Sequence, residues 1–181
     1  MIYLITGGER SGKSSYAQNL ALQLSDSPIY VATARKWDAD FQNRIDRHQQ
    51  ERDERWTNIE EEKYLSKIDF TEKTALIDCV TLWLTNFFTD HQYDVNLSLE
   101  EAKKEFLSIA NQKNATLIIV TNEIGMGVHA ETHIGRKFTE LQGWMNQFLA
   151  SNADEVVLMV SGIPVKIKES NSKTGQGNSK I

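Results

Sequence analysis

The chain has 181 residues, 40% of them apolar and 25% charged, with a formal net charge of −5. That length and composition describe one soluble globular domain able to bury a substantial core, and the acidic balance argues against a general nucleic-acid binder. No apolar run approaches the ~20 residues needed to span a bilayer. The opening residues read as a buried strand rather than a signal peptide, since no charged segment precedes them. The single cysteine, Cys79, has no partner for an internal disulfide, which points to a reducing, cytoplasmic setting.

Ile2-Tyr3-Leu4-Ile5-Thr6 is an apolar run of strand length. It leads into Gly7-Gly8-Glu9-Arg10-Ser11-Gly12-Lys13-Ser14, a G-x-x-x-x-G-K-S loop. A helical pattern follows, with Ala17, Leu20, Ala21 and Leu24 on one face. Strand, glycine loop and helix in that order are the context of a phosphate-binding P-loop. The glycines let backbone N–H groups turn inward as an anion nest, and the helix N-terminus adds its dipole. Lys13 supplies charge for the β- and γ-phosphates, and Ser14 is a candidate ligand for Mg²⁺.

Pro28 to Thr33 reads as a second strand, with Ala32, Thr33 and Ala34 at its carboxyl end, where open α/β sheets bind ligands. From Asp38 to Arg55 the chain is highly charged, without Gly or Pro, and Phe41, Ile45 and His48 recur at helical spacing. Arg44, His48 and Arg52, four residues apart, set an imidazole between two guanidiniums on one helical face. On spacing alone a salt-bridged solvated surface is the favoured reading of that face, because charged helix faces are common. Trp56 and an acidic cluster, Glu60-Glu61-Glu62, follow.

Thr74 to Cys79 is an apolar strand that delivers Asp78, in the manner of a Walker B carboxylate near Mg²⁺. Cys79 reads as core. Leu82, Leu84, Phe87 and Phe88 mark a helix on the sheet, and His91 to Asn96 a polar loop. Ser98-Leu99-Glu100-Glu101 reads as a capping box opening a helix that carries Leu99, Ala102, Phe106 and Ile109. Thr116 to Thr121 is a further strand, delivering Asn122-Glu123 and the glycine loop Gly125-Met126-Gly127. A helix near residues 134–150 shows Phe138, Leu141, Met145 and Phe148 on its apolar side. Glu155 to Val160 is a strand, and Ser161-Gly162-Ile163-Pro164 turns it into Val165-Lys166-Ile167-Lys168, with Pro164 marking an edge strand or hairpin arm. Glu169 to Ile181 is nearly devoid of apolar residues and reads as a mobile tail. His129 and His133 are spaced i,i+4 without a third ligand nearby and read as no metal site.

The expected fold is α/β: a mostly parallel sheet with helices on both faces, a single catalytic domain over residues 1–168 and a tail over 169–181. A P-loop alone leaves motor, switch, kinase and nucleotidyltransferase open. No Asn-Lys-x-Asp base-reading motif marks a GTPase switch. A histidine beside arginines also admits nucleophilic transfer through a phosphoramidate.

Five stretches in order resemble the adenosylcobinamide kinase/adenosylcobinamide-phosphate guanylyltransferase family of cobalamin biosynthesis. They are the loop at residues 7–14, Tyr30-Val31-Ala32-Thr33-Ala34, Arg44-Ile45-Asp46-Arg47-His48 with Arg52 and Trp56, Val120-Thr121-Asn122-Glu123-Ile124-Gly125-Met126-Gly127, and Val160-Ser161-Gly162-Ile163-Pro164-Val165-Lys166. The resemblance implies ATP or GTP as phosphate donor to adenosylcobinamide. It also implies His48 as the nucleophile that takes GMP from GTP and passes it to adenosylcobinamide phosphate. Gly7, Gly8, Glu9, Arg10, Ser11, Gly12, Lys13, Ser14, Ala32, Thr33, Ala34, Gln49, Gln50, Glu51, Arg52, Glu60 and Asp78 match nucleotide-contacting positions, with Ser14 and Asp78 toward Mg²⁺. A homo-oligomer, specifically a trimer, is implied too. Asp53 and Lys63 stand where the family commonly has proline, and Asp78 where some members have glutamate, departures that bear on loop geometry more than on chemistry.

Overall fold

The computed structural model describes residues 1–35 and 53–169. The elements are β1 (Ile2–Gly7), α1 (Lys13–Leu24), β2 (Ile29–Ala32), β3 (Thr57–Glu60), β4 (Thr74–Asp78), α2 (Val80–Asp90), α3 (Val95–Ala110), β5 (Thr116–Val120), α4 (His133–Asn152), β6 (Glu155–Val160) and β7 (Ile163–Lys168). Single 3-10 turns lie at Leu65–Lys67 and Ile124–Met126.

The strands form one seven-stranded sheet in the order β3-β2-β4-β5-β1-β6-β7. Every neighbouring pair is parallel except β6 with β7. Side chains alternate between the two faces, as the period of two requires. Tyr3, Ile5, Tyr30, Leu76, Ile118, Val120, Val157 and Met159 meet α1 through Ala17 and Ala21. Leu4, Ile29, Val31, Ala75, Ile77, Leu117 and Ile119 turn the other way, against α2, α3 and α4. Small alanines suit α1, because they let its backbone lie close over the central strands. Leu24, expected on that buried face, is instead 43% exposed at the last turn.

The direction of the crossovers fixes where a ligand can enter. The β1-to-β2 connection runs over the α1 face toward one edge of the sheet. The β5-to-β6 connection runs over the opposite face toward the other edge. Right-handed crossovers in opposite directions must use opposite faces, and they leave a crevice at the carboxyl ends of the strands where the direction reverses. The glycine loop sits there.

The structure moves one helix start and adds one strand. The third helix begins at Val95 rather than at Ser98, because the Asp94 carboxylate accepts the Leu97 N–H at 2.9 Å and is the cap. Ser98 lies inside the first turn, fully buried, and its hydroxyl donates back to the Asp94 carbonyl. Strand β3 carries no apolar signature, since Thr57, Asn58 and Glu60 are exposed. Its identity comes from pairing with β2 at the sheet edge. The last hairpin is as expected. Ser161 and Gly162 take φ of 51° and 83°, the positive values a two-residue hairpin turn needs, and Pro164 sits on edge strand β7. No helix among the described residues is long and apolar enough to cross a membrane.

Candidate active site

Residues 7–14 join β1 to α1 as the motif requires. Gly7 has φ of 149°, and a Cβ there would stand 2.5 Å from the Met159 carbonyl oxygen and 2.8 Å from Ser11 Oγ. Gly12, at φ 93°, opens α1 and packs against Gly162. The loop is also tied to the last hairpin, because the Gly162 N–H donates to the Ser11 carbonyl at 2.9 Å. Lys13 folds over its own loop: Nζ donates to the Gly8 carbonyl and lies 3.4 Å from Ser11 Oγ. Burial pushes its ammonium below the usual lysine value, opposed by nearby acidic groups that include Asp78 and Glu9. A buried cation at the start of a helix favours a bound anion.

The other expected nucleotide positions converge on the same end of the sheet. In register, Ala32 lies between Asp78 of β4 and Glu60 of β3. The Tyr30 hydroxyl donates to Asp78 Oδ2 at 3.0 Å, and Tyr30 is packed edge-on by buried Trp56, with ring centroids 6.1 Å apart. Thr33 is fully buried and spends its hydroxyl on the Cys79 carbonyl at 2.8 Å, so it presents backbone rather than side chain. His48, Gln49, Gln50, Glu51 and Arg52, with Arg44, lie outside the described residues.

Both flanks of that segment are anchored. On the leading side, the Arg35 guanidinium gives two N–H bonds to Asp90, at 2.8 and 3.2 Å, and one to Glu62 at 2.7 Å. Arg35 and Lys63 hold the Asp90 carboxyl far below the usual carboxylate range. On the returning side stands Trp56. Asn86 clamps the same region from within α2: its Nδ2 donates to the Thr33 and Glu62 carbonyls, both at 2.8 Å. Asn86 is fully buried. Asn86→Ala is therefore expected to destabilise the protein by about 2–4 kcal/mol, since it orphans the buried Thr33 carbonyl, at a cost of ~1–3 kcal/mol, and removes a second bond to the part-buried Glu62 carbonyl, worth ~1 kcal/mol. A lower urea midpoint at unchanged slope would register it.

A cavity of about 860 Å³ opens beside the loop. Its walls are Gly8, Glu9 and Ser11, the start of α2 at Thr81 and Leu82, residues 122–124 with Met126 and Gly127, and residues 158–161. Two of the stretches singled out in the sequence thus wall one space with the P-loop, and the glycine loop at 125–127 borders the cavity. Sequence reasoning assigned no role to Glu123. Its Oε1 accepts from the Thr6 hydroxyl at 2.7 Å and from Asn146 Nδ2 at 3.1 Å. The signal available for it was the pair Gln142 and Asn146, polar residues four apart on an otherwise apolar helix face.

Cys79 is core: burial pushes its thiol up to about 12, which makes it unreactive. His129 and His133 border a separate shallow pocket with Arg136 and Lys137. The donor set available for a Mg²⁺ ion is Ser14 at the start of α1 and Asp78 at the end of β4. A hydroxyl and a carboxylate suit a hard cation that completes its shell with phosphates and water. No cluster of three or more His, Cys, Asp or Glu able to hold a metal occurs among the described residues.

Residues 3–167 match the family model described as cobinamide kinase / cobinamide phosphate guanyltransferase. The chain is 35% identical to the bifunctional adenosylcobalamin biosynthesis protein CobU of Escherichia coli, over 93% of this chain and 100% of that one. It is 33% identical to the bifunctional adenosylcobalamin biosynthesis protein CobP of Pseudomonas aeruginosa, over 91% of this chain and 96% of that one. Among solved structures, the flagellar accessory protein FlaH of Methanocaldococcus jannaschii superposes with a TM-score of 0.48 at 16% identity, over 93% of this chain and 78% of that one.

Proposed function

This chain belongs to the cobinamide kinase / cobinamide phosphate guanyltransferase family, and from that membership we propose that it performs both transfers on one site. In the first, ATP or GTP phosphorylates the aminopropanol hydroxyl of adenosylcobinamide. In the second, GMP passes from GTP through His48 to adenosylcobinamide phosphate, giving adenosylcobinamide-GDP and pyrophosphate. The observation that carries the reading is the cavity: it adjoins the P-loop and is walled by two of the four other family-like stretches, so donor phosphates and acceptor have room to meet.

The roles follow from the chemistry. The loop N–H groups and Lys13 bind the β- and γ-phosphates and stabilise charge on the departing group. Ala32, Thr33, Ala34, Glu60 and the 49–52 segment bound the nucleoside. Neutral His48 attacks the α-phosphorus; its N–P bond forms as the bond to the bridging oxygen breaks, and pyrophosphate leaves. A phosphate oxygen of the acceptor then displaces the imidazole. Arg44 and Arg52 steady the transferring group. Ser14 and Asp78 would hold Mg²⁺, which neutralises phosphate charge when bound. A homo-oligomer, a trimer by family resemblance, is supported by the edge of the sheet: Val160, Ile163, Val165 and Ile167 are all at least 44% exposed there.

Two separate assays test the proposal. Adenosylcobinamide with ATP should yield its phosphate, and adenosylcobinamide phosphate with GTP should yield adenosylcobinamide-GDP and pyrophosphate. Nucleotide binding without turnover of either corrinoid would contradict it.

A further inference from the structure

Resting on the two-transfer reading, we propose that Glu123 is the general base of the kinase half-reaction, taking the proton of the cobinamide hydroxyl as that oxygen attacks the γ-phosphorus. Its place in the fold is the first ground. Glu123 lies three residues past the end of β5, and its backbone N–H donates to the carbonyl of Gly7, the first residue of the phosphate loop, at 3.1 Å. Glu123 lines the cavity together with Gly8, Glu9 and Ser11. A base must reach an acceptor oxygen placed beside the phosphates, and this position lies in the cavity next to the phosphate loop.

The second ground is how the carboxylate is held. Thr6 and Asn146 both donate to Oε1. Asn146 is itself fixed, because its Oδ1 accepts from Thr121 at 2.7 Å and from Gln142 at 2.9 Å while its Nδ2 also donates to the Asn122 carbonyl at 3.0 Å. One oxygen is pinned by a network reaching into α4, and Oε2 has no hydrogen-bond partner among the described residues. No lysine or arginine of the described residues pairs with it. The other carboxylates nearby are less suited. Glu9 is exposed on the loop and takes no hydrogen bond from the described residues, and Asp78 does not line the cavity.

The hydroxyl O–H bond breaks and the proton moves to Glu123 Oε2. The bond between that oxygen and the γ-phosphorus forms, while the bond from the γ-phosphorus to the bridging oxygen breaks. The electron pair leaves with the nucleoside diphosphate, and the carboxylic acid returns its proton to water. The guanylyl half-reaction needs no such base, because its acceptor is a phosphate oxygen that is already ionised. Glu123 therefore serves one transfer and not the other.

The test is Glu123→Gln, which keeps an Oε1 for Thr6 and Asn146 and loses only the basic function. Kinase kcat is expected to fall by about 10²-fold or more, with KM for the nucleotide within about threefold and guanylyl transfer within about twofold of wild type. Glu123→Asp retains a carboxylate and is expected to run at least about tenfold faster than the Gln variant in the kinase assay. Kinase turnover of Glu123→Gln within threefold of wild type overturns the proposal alone. An equal loss in both half-reactions, or an Asp variant no faster than Gln, also overturns it and makes Glu123 a residue that merely holds the loop. A wild-type protein without kinase turnover overturns the two-transfer reading itself.

Discussion

Lys13→Ala is expected to slow both half-reactions by about 10²–10³-fold, the scale of losing one preorganised charge at a site of developing anion. The lysine is only 7% exposed, and its ammonium spans the loop to the Gly8 carbonyl. Burial is what makes the charge effective, because little water screens it from phosphate. The same burial limits its worth to stability, since the folded state must strip the ammonium of solvent and recovers that mostly through bonds within the loop. The variant should therefore unfold within a few degrees of wild type while losing turnover in both assays. Lys13→Arg should fare little better, because a planar guanidinium does not fit a loop shaped around a slim ammonium. Rates within tenfold of wild type for Lys13→Ala would remove the loop from the chemistry.

His48→Ala is expected to separate the two activities. Guanylyl transfer should fall on the order of 10³-fold or more, the scale of deleting a covalent nucleophile. The kinase rate should stay within about twofold, because direct phosphorylation of a hydroxyl forms no bond to the imidazole. The arginines at positions 44 and 52, four residues to either side in sequence, are unchanged in this variant and would still favour a bound anion. Parallel losses in both assays would mean that His48 supports nucleotide binding instead. Separate progress curves for phosphate transfer from ATP and pyrophosphate release from GTP distinguish these outcomes.

Much of the architecture was legible because parallel strands buried on both faces advertise themselves. Leu76, Ile77, Ile118 and Ile119 read as core without any partner being known, and all are at most 2% exposed. The P-loop was legible for a different reason: its glycines answer to backbone geometry that few other residues adopt, as the φ values at Gly7 and Gly12 confirm. Strand β3 was not legible, since an edge strand with solvent on its polar side chains exists only through its neighbour. The start of α3 was misplaced because two good caps, Asp94 and Ser98, compete within four residues, and a local pattern does not rank them. Glu123 illustrates the remaining gap. Its stretch was visible as a motif, but the polar partners that aim it come from β1 and from the middle of α4, brought together only by folding. Asn86 is similar, an amide inside an apolar helix whose purpose is visible only once the exits of β2 and β3 lie beside it.

Transfer through His48 is tested by incubating the protein with α-labelled GTP and Mg²⁺, denaturing it, digesting it and locating the label by mass. One GMP per chain is expected on the peptide carrying His48, stable to denaturant, lost in acid, and discharged to adenosylcobinamide-GDP when adenosylcobinamide phosphate is added before denaturation. Protein that binds GTP but retains no label on denaturation, or that carries the label on another residue, would contradict transfer through His48.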